Sequence, residues 1–176
     1  MTTRVAFLRA VNLGKRTARS AQLIAAVEGL GYTDVWTHIN SGNVVFDAHG
    51  SRTDLERELE GAFENALGFE ATTFVRTAPE LRRAMSEQPF TVTAGDTYFI
   101  TFLKDSLAAP KRTALEALSN DFDTLVVDGR DVHWRMHGKS TDTRLKTRQW
   151  DDLVGHHRST SRNTNMLRKL VDKLGQ

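Results

Sequence analysis

The chain contains no cysteine. That absence removes thiol nucleophiles, Zn–Cys sites, disulfides and thiol redox switching together. No apolar run approaches the ~18 residues of a membrane span. The start, Met1-Thr2-Thr3-Arg4-Val5, leads directly into a strand-like pattern, without the apolar core of a secretory signal. The expectation is a cytoplasmic protein with no membrane partner. Motifs with a known mechanism are also missing: there is no Gly-x-Ser-x-Gly elbow, P-loop or dinucleotide fingerprint. His133 and His137 lie four apart, but on a strand and its exit, so they do not share the helical face of an H-E-x-x-H site. His156-His157 has no carboxylate at ligand spacing. Neither a metal nor a cofactor is expected. No low-complexity linker divides the chain, and no sequence repeat relates its halves.

What is present is a regular succession of strand and helix patterns over 176 residues, room for one domain or two small fused subdomains. A chain of this length buries roughly 70% of its unfolded surface, so it needs no covalent staple. Val5-Ala6-Phe7-Leu8 reads as a buried strand. Leu23, Val27 and Leu30 share a helix face from Ser20, with Gly31 placed to end it. Val35-Trp36-Thr37-His38-Ile39 and Val44-Val45-Phe46 flank Asn40-Ser41-Gly42-Asn43 as a hairpin. Thr53-Asp54-Leu55-Glu56 is a capping box for a helix burying Leu55, Leu59, Phe63 and Leu67. Ala71 to Arg76 is a further strand. The order β-α-β-β-α-β is the ferredoxin-like split β-α-β arrangement.

The second half reads α-β-α-β-β-α-α. Its helices begin near Thr77 and Pro110, and its strands cover Thr97–Leu103, Thr124–Val127 and Val132–Met136 around an Asp128-Gly129 turn. A helix follows over Leu145–Leu153, then a short strand near His156–Arg158, and a last helix over Ser161–Leu174 capped by Thr160 or Ser161. The fold class is therefore α+β: two ferredoxin-like subdomains with antiparallel sheets, residues 1–77 and 78–176, packed together.

Among polar residues, Arg9 extends the face of Val5 and Phe7, where an unpaired guanidinium could not be buried. Asn12-Leu13-Gly14-Lys15 leaves that strand as a Gly-containing loop with a cation. Asn40-Ser41-Gly42-Asn43 holds more donors and acceptors than a hairpin turn requires. Arg162, beside Asn163, stands at an expected helix N-terminus, where a cation is mildly unfavourable and an anion would resolve the mismatch. Charge is uneven despite a net +2. Residues 1–88 hold 10 Lys+Arg against 11 Asp+Glu, and residues 89–176 hold 14 against 11. The excess gathers at Arg130, Arg135, Lys139, Arg144, Lys146 and Arg148, with only Asp131 and Asp142 between them.

In combination, Leu8-Arg9, Asn12, the Leu23–Tyr32 helix with its Leu-Gly end, Ser41-Gly42-Asn43-Val44-Val45-Phe46, Pro89-Phe90 and Arg162-Asn163 resemble a bacterial family catalogued as domain of unknown function 1697. Their joint order spans nearly the whole chain. The family usually has Gly where this chain has Ala10 and Lys15, often Tyr where it has His38, and commonly Trp where it has Thr164. The resemblance implies an α+β fold of two ferredoxin-like halves, and no activity.

The leading functional expectation is a binding module for a small phosphorylated or carboxylated ligand, gathered by Arg9, Asn12, Ser41, Asn43, Arg162 and Asn163 between the lobes. One rival is RNA binding through the basic stretch 129–150, although the aromatic–basic run of an RNA-recognition sheet is missing. Another is an enzyme using His38 as acid or base.

Overall fold

The computed structural model describes residues 1–12, 14–39 and 42–175, which fall into two units, Met1–Leu81 and Arg82–Gln176. The first runs β1 (Thr2–Leu8), α1 (Ser20–Glu28), β2 (Thr33–Thr37), β3 (Asn43–Ala48), α2 (Arg52–Leu67) and β4 (Thr73–Thr77); α3 (Ala78–Ser86) then crosses into the second unit's residues. The sheet order is β2-β3-β1-β4, every pairing antiparallel. Alternation along the strands places Ala6, Leu8, Val44, Phe46 and Val75 on one face. Leu23 and Val27 of α1 and Leu55, Leu59 and Phe63 of α2 pack against it, all essentially without exposure.

Helix α2 begins two residues earlier than its Thr53 box predicts. Ser51 is the N-cap, accepting from the Asp54 N–H at 3.2 Å and donating to the Asp54 carboxylate at 2.8 Å. Asp54 stands at N3, the position of the box glutamate, but takes the Ser51 hydroxyl. Gly68 closes the helix at φ 79°, a left-handed position that a side chain would strain.

The second unit runs β5 (Thr97–Leu103), α4 (Ala109–Glu116), β6 (Asp123–Asp128), β7 (Asp131–Met136), α5 (Thr147–Val154), β8 (Ser159–Asn163) and α6 (Thr164–Leu174). Its sheet order, β6-β7-β5-β8, repeats that of the first unit, again antiparallel. The fold is therefore α+β with two ferredoxin-like four-stranded sheets among the described residues. No described helix is long and apolar enough to cross a membrane.

The end of the chain corrects the sequence reading. Ser159-Thr160-Ser161-Arg162-Asn163 is strand β8 rather than a strand exit and first helical turn, and Asn163 is the N-cap of α6, accepting from the Asn165 N–H at 2.8 Å. Five polar residues have no hydrophobic periodicity to announce a strand. What makes one is the open edge of β5, to which Phe99↔Asn163 through Leu103↔Ser159 pair in register.

The duplication, invisible as a sequence repeat, extends to individual hydrogen bonds. Leu8 N–H donates to Gly42 O at 2.9 Å and Leu103 N–H to Arg130 O at 2.8 Å; Arg9 N–H donates to Thr72 O at 2.9 Å and Lys104 N–H to Arg158 O at 3.1 Å. Arg76, paired with Val5, corresponds to Arg162, paired with Ile100. Each guanidinium donates from Nη1 to the carbonyl of the residue before it, at 3.0 and 2.9 Å. Both strands then pass straight into a helix through a capping residue, Thr77 or Asn163.

Candidate functional site

Arg9 leaves the C-terminal end of the central strand β1, followed by Ala10 at φ 55° and Gly14 at φ 60°. A left-handed alanine costs roughly 1–2 kcal/mol. The loop is nevertheless held. Val11 and Ala18 are each 5% exposed and belong to the core of the first unit, and Asn12 Oδ1 accepts from the Ala18 N–H at 3.0 Å. Asn12 thereby closes the loop upon itself. Arg16 lies with its guanidinium carbon 5.2 Å from the centre of the Phe69 ring, a cation–π distance.

On this anchored loop stand Arg9, Lys15, Arg16 and Arg19, with no Asp or Glu between residues 9 and 19. Arg9 is half-buried and the other three are exposed. Arg9 and Lys15 make no side-chain hydrogen bond or ion pair among the described residues. The corresponding connection of the second unit, residues 104–108, is shorter and holds Lys104 and Asp105 instead. The acid-free cationic loop thus belongs to one half of a duplicated frame.

The hairpin turn borders the same end of the sheet through the Leu8–Gly42 bond. Asn43 is 5% exposed, and its Nδ2 donates to His38 O at 3.0 Å and Ile39 O at 3.2 Å, while its own carbonyl accepts from the His38 N–H at 3.0 Å. These bonds shape a turn in which Ile39 and Gly42 take positive φ. Ser41, together with Asn40 and Leu13, lies outside the described residues. His38 is 1% exposed, a burial that closes its ring to a dissolved substrate.

Arg162 and Asn163 belong to the second unit, on β8. Arg162 is a strand residue just before the Asn163 N-cap of α6, rather than in the first helical turn that the sequence suggests. Its Nη1 donates to Thr160 Oγ1 at 2.8 Å, and burial lowers the guanidinium to about 10, leaving it charged at neutral pH. Across β5 the same sheet face holds Ile100 and then His133, since Ile100 pairs with both Arg162 and His133. Tyr98, two residues along, is 4% exposed; its hydroxyl bonds His133 Nδ1, and the Phe90 ring meets its own edge-to-face at 4.9 Å. Burial raises the Tyr98 hydroxyl well above its ordinary value, Asp131 adding to the effect. Sequence reasoning missed this pair. The alternation of Tyr98, Ile100 and Phe102 was a signal for their shared face, but nothing local announced His133 opposite.

His133 is 1% exposed, and desolvation lowers its pKa although Asp131, Asp128 and Glu87 pull the other way. A folded-state value below the unfolded one, about 6.5, means the unfolded chain binds more protons in acid. His133 therefore costs no stability above that value and destabilises the fold increasingly as pH falls below it. Urea midpoints at pH 7 and pH 5 check this: the acid loss should be smaller in His133→Gln than in the parent chain.

The basic stretch 129–150 spans several elements. Arg130 lies in the β6–β7 turn, Arg135 donates to Thr91 O at 2.8 Å and Thr124 Oγ1 at 3.1 Å, and Arg148 lies on α5. Trp134 packs on the hydrophobic cluster of Leu103, Leu115, Leu125 and Val132 and donates from Nε1 to Asp123 at 2.9 Å. Its indole is spent on the core rather than presented to a base.

Over its full length the chain is similar to the conserved bacterial protein SP0830 from Streptococcus pneumoniae, with a TM-score of 0.75, 20% identity, and coverage of 100% of this chain and 99% of that one. At that identity the likeness concerns the fold. The chain matches no curated protein. Residues 1–133, which include the cationic loop, the hairpin and all of the first unit, match the model described as protein of unknown function (DUF1697), and the protein belongs to that family.

Proposed function

We propose that the protein is a binding module for a small anionic ligand, phosphorylated or carboxylated, taken up at the loop of residues 9–19. The observation that supports this most strongly is the set Arg9, Lys15, Arg16 and Arg19 on an acid-free loop, with Arg9 and Lys15 lacking a partner among the described residues. Anchoring by Val11, Ala18 and Asn12 fixes the loop before a ligand arrives, so less ordering entropy is lost on binding. An acid-free run of cations carries a positive field, which an anion neutralises while gaining charge-assisted hydrogen bonds. Asn43, whose side-chain amide is already bonded to the His38 and Ile39 carbonyls, lies toward the same end of the sheet.

The test is a thermal-shift panel of inorganic pyrophosphate, citrate, nucleotides and short single-stranded RNA. A ligand at 100-fold its Kd stabilises by about 2.7 kcal/mol when only the folded state binds. For a chain of this length that is roughly 5–11 °C. The double variant Arg9→Ala/Lys15→Ala should keep the parent melting temperature without ligand and lose the shift. A panel that leaves the parent unmoved rejects the reading. A shift given by RNA alone, with a steep salt dependence, would replace it with nucleic-acid binding.

A further inference from the structure

A cavity of about 270 Å³ opens in the second unit beyond the C-terminal end of β5, and its lining is mixed: apolar at Leu103, Leu107, Leu153 and Val154, polar at Asp105, Ser106, Lys111 and Arg158. The division follows from the local chain. Leu103, the last residue of β5, is 1% exposed and belongs to the hydrophobic cluster with Leu115, Leu125 and Val132; Leu107, Leu153 and Val154 pack on that cluster half-buried. Asp105 and Ser106 come from the β5–α4 connection, Lys111 from the first turn of α4, and Arg158 from the residue before β8. Arg158 forms an ion pair with Asp105, so those two charges cancel. Lys111 and the Ser106 hydroxyl have no side-chain partner among the described residues. One uncompensated positive charge and one hydroxyl therefore share the lining with four apolar side chains.

We propose that this cavity binds a short-chain aliphatic carboxylate, its head group at Lys111 and Ser106 and its hydrocarbon body against Leu103, Leu107, Leu153 and Val154. Charge selects a monoanion, because the lining carries one net positive charge. Size selects a short chain: 270 Å³ is about nine water volumes, below the ≈ 300–1,000 Å³ of sites for drug-sized ligands. The apolar half selects against inorganic anions, which would leave those leucines in contact with water or with charge. This site belongs to the second unit and the cationic loop to the first, so the proposal stands independently of that loop.

Sodium hexanoate titrated into the ¹⁵N-labelled full chain tests it by NMR. Saturable shifts are expected at the Ser106, Leu107 and Lys111 amides, with a Kd of about 1–10 mM for a ligand so small. Lys111→Gln, an exposed substitution that leaves the remaining spectrum in place, should weaken binding about fivefold or more. Arg9→Ala/Lys15→Ala should bind hexanoate as the parent does, separating this site from the loop. Hexanol binding as tightly as hexanoate, inorganic phosphate displacing hexanoate, an unchanged affinity in Lys111→Gln, or no saturable shift up to about 20 mM would each overturn the proposal.

Discussion

Asp123→Ala should lower stability by roughly 3–5 kcal/mol, the largest effect expected of a single polar substitution in this chain. Asp123 is 0% exposed at the start of β6, and its carboxylate gathers four side-chain or backbone donors. Oδ1 accepts from Trp134 Nε1 at 2.9 Å and Thr143 Oγ1 at 2.6 Å; Oδ2 accepts from Asn120 Nδ2 at 3.1 Å and the Arg144 N–H at 2.9 Å. One residue thus ties the α4–β6 turn, the neighbouring strand β7 and the loop that leads to α5. Alanine leaves the indole and the Arg144 amide in a space that water cannot readily refill, and a buried donor left unmade costs about 1–3 kcal/mol. Asp123→Asn should cost less than alanine but more than a neutral change, because its NH₂ must face donors. Urea denaturation followed by tryptophan fluorescence reads both variants.

The charge state of Asp123 gives the same residue an acid signature. Burial by itself opposes ionisation and is the largest single influence, but the bonds from Thr143, Trp134, Arg144 and Asn120 together outweigh it and hold the carboxyl below its ordinary value. A folded-state pKa below the unfolded one means the stabilisation is complete above about pH 4 and is lost as pH falls through the folded value. The acid limb of the stability curve should therefore be flatter in Asp123→Ala.

Glu56→Ala should cost about 2–4 kcal/mol. Glu56, on α2, is 3% exposed; Oε1 accepts from the Val75 N–H at 3.0 Å and Oε2 from Arg52 Nη1 at 3.0 Å. One turn further, Glu60 Oε1 accepts from the Thr73 N–H at 3.0 Å. Strand β4 is an edge of the first sheet, and these are its outward amides. The two glutamates satisfy alternate N–H groups of an edge that would otherwise be open to another chain. Glu56→Gln keeps an acceptor for Val75 and should lose about 1 kcal/mol or less. The double variant Glu56→Ala/Glu60→Ala should additionally elute earlier on size exclusion at high concentration, through pairing at the freed edge. A monomeric double variant with near-parent stability would show that water serves those amides equally well.

The period-2 and period-3.6 patterns made most elements legible. Ala6, Leu8, Val44 and Phe46 alternate onto a helix-covered face, and Leu55, Leu59 and Phe63 recur on α2, as side-chain direction in strands and helices requires. Gly68 and the Asp128-Gly129 turn mark their boundaries through allowed backbone angles. These signals lie within a few residues of one another, so they survive in the bare sequence. The cations of residues 9–19 were legible too, though only Arg9 among them stood out as a candidate.

What the sequence determined by itself is therefore the α+β class, the βαββαβ order of the first half and the basic and polar segments available to a site. Tertiary structure alone decided that Ser159–Asn163 is a strand, that Arg76 and Arg162 hold equivalent posts in a duplicated frame, and that Tyr98 meets His133. It also decided that Asn12, Asn43 and Asn163 spend side-chain bonds on backbone groups of nearby residues. The reason is contact range. Thr101 meets Ser161 across 60 residues of chain and Tyr98 meets His133 across 35. Whether a polar residue is a strand, a cap or a site depends on the partner such closures bring to it, and that partner leaves no periodic trace among its neighbours.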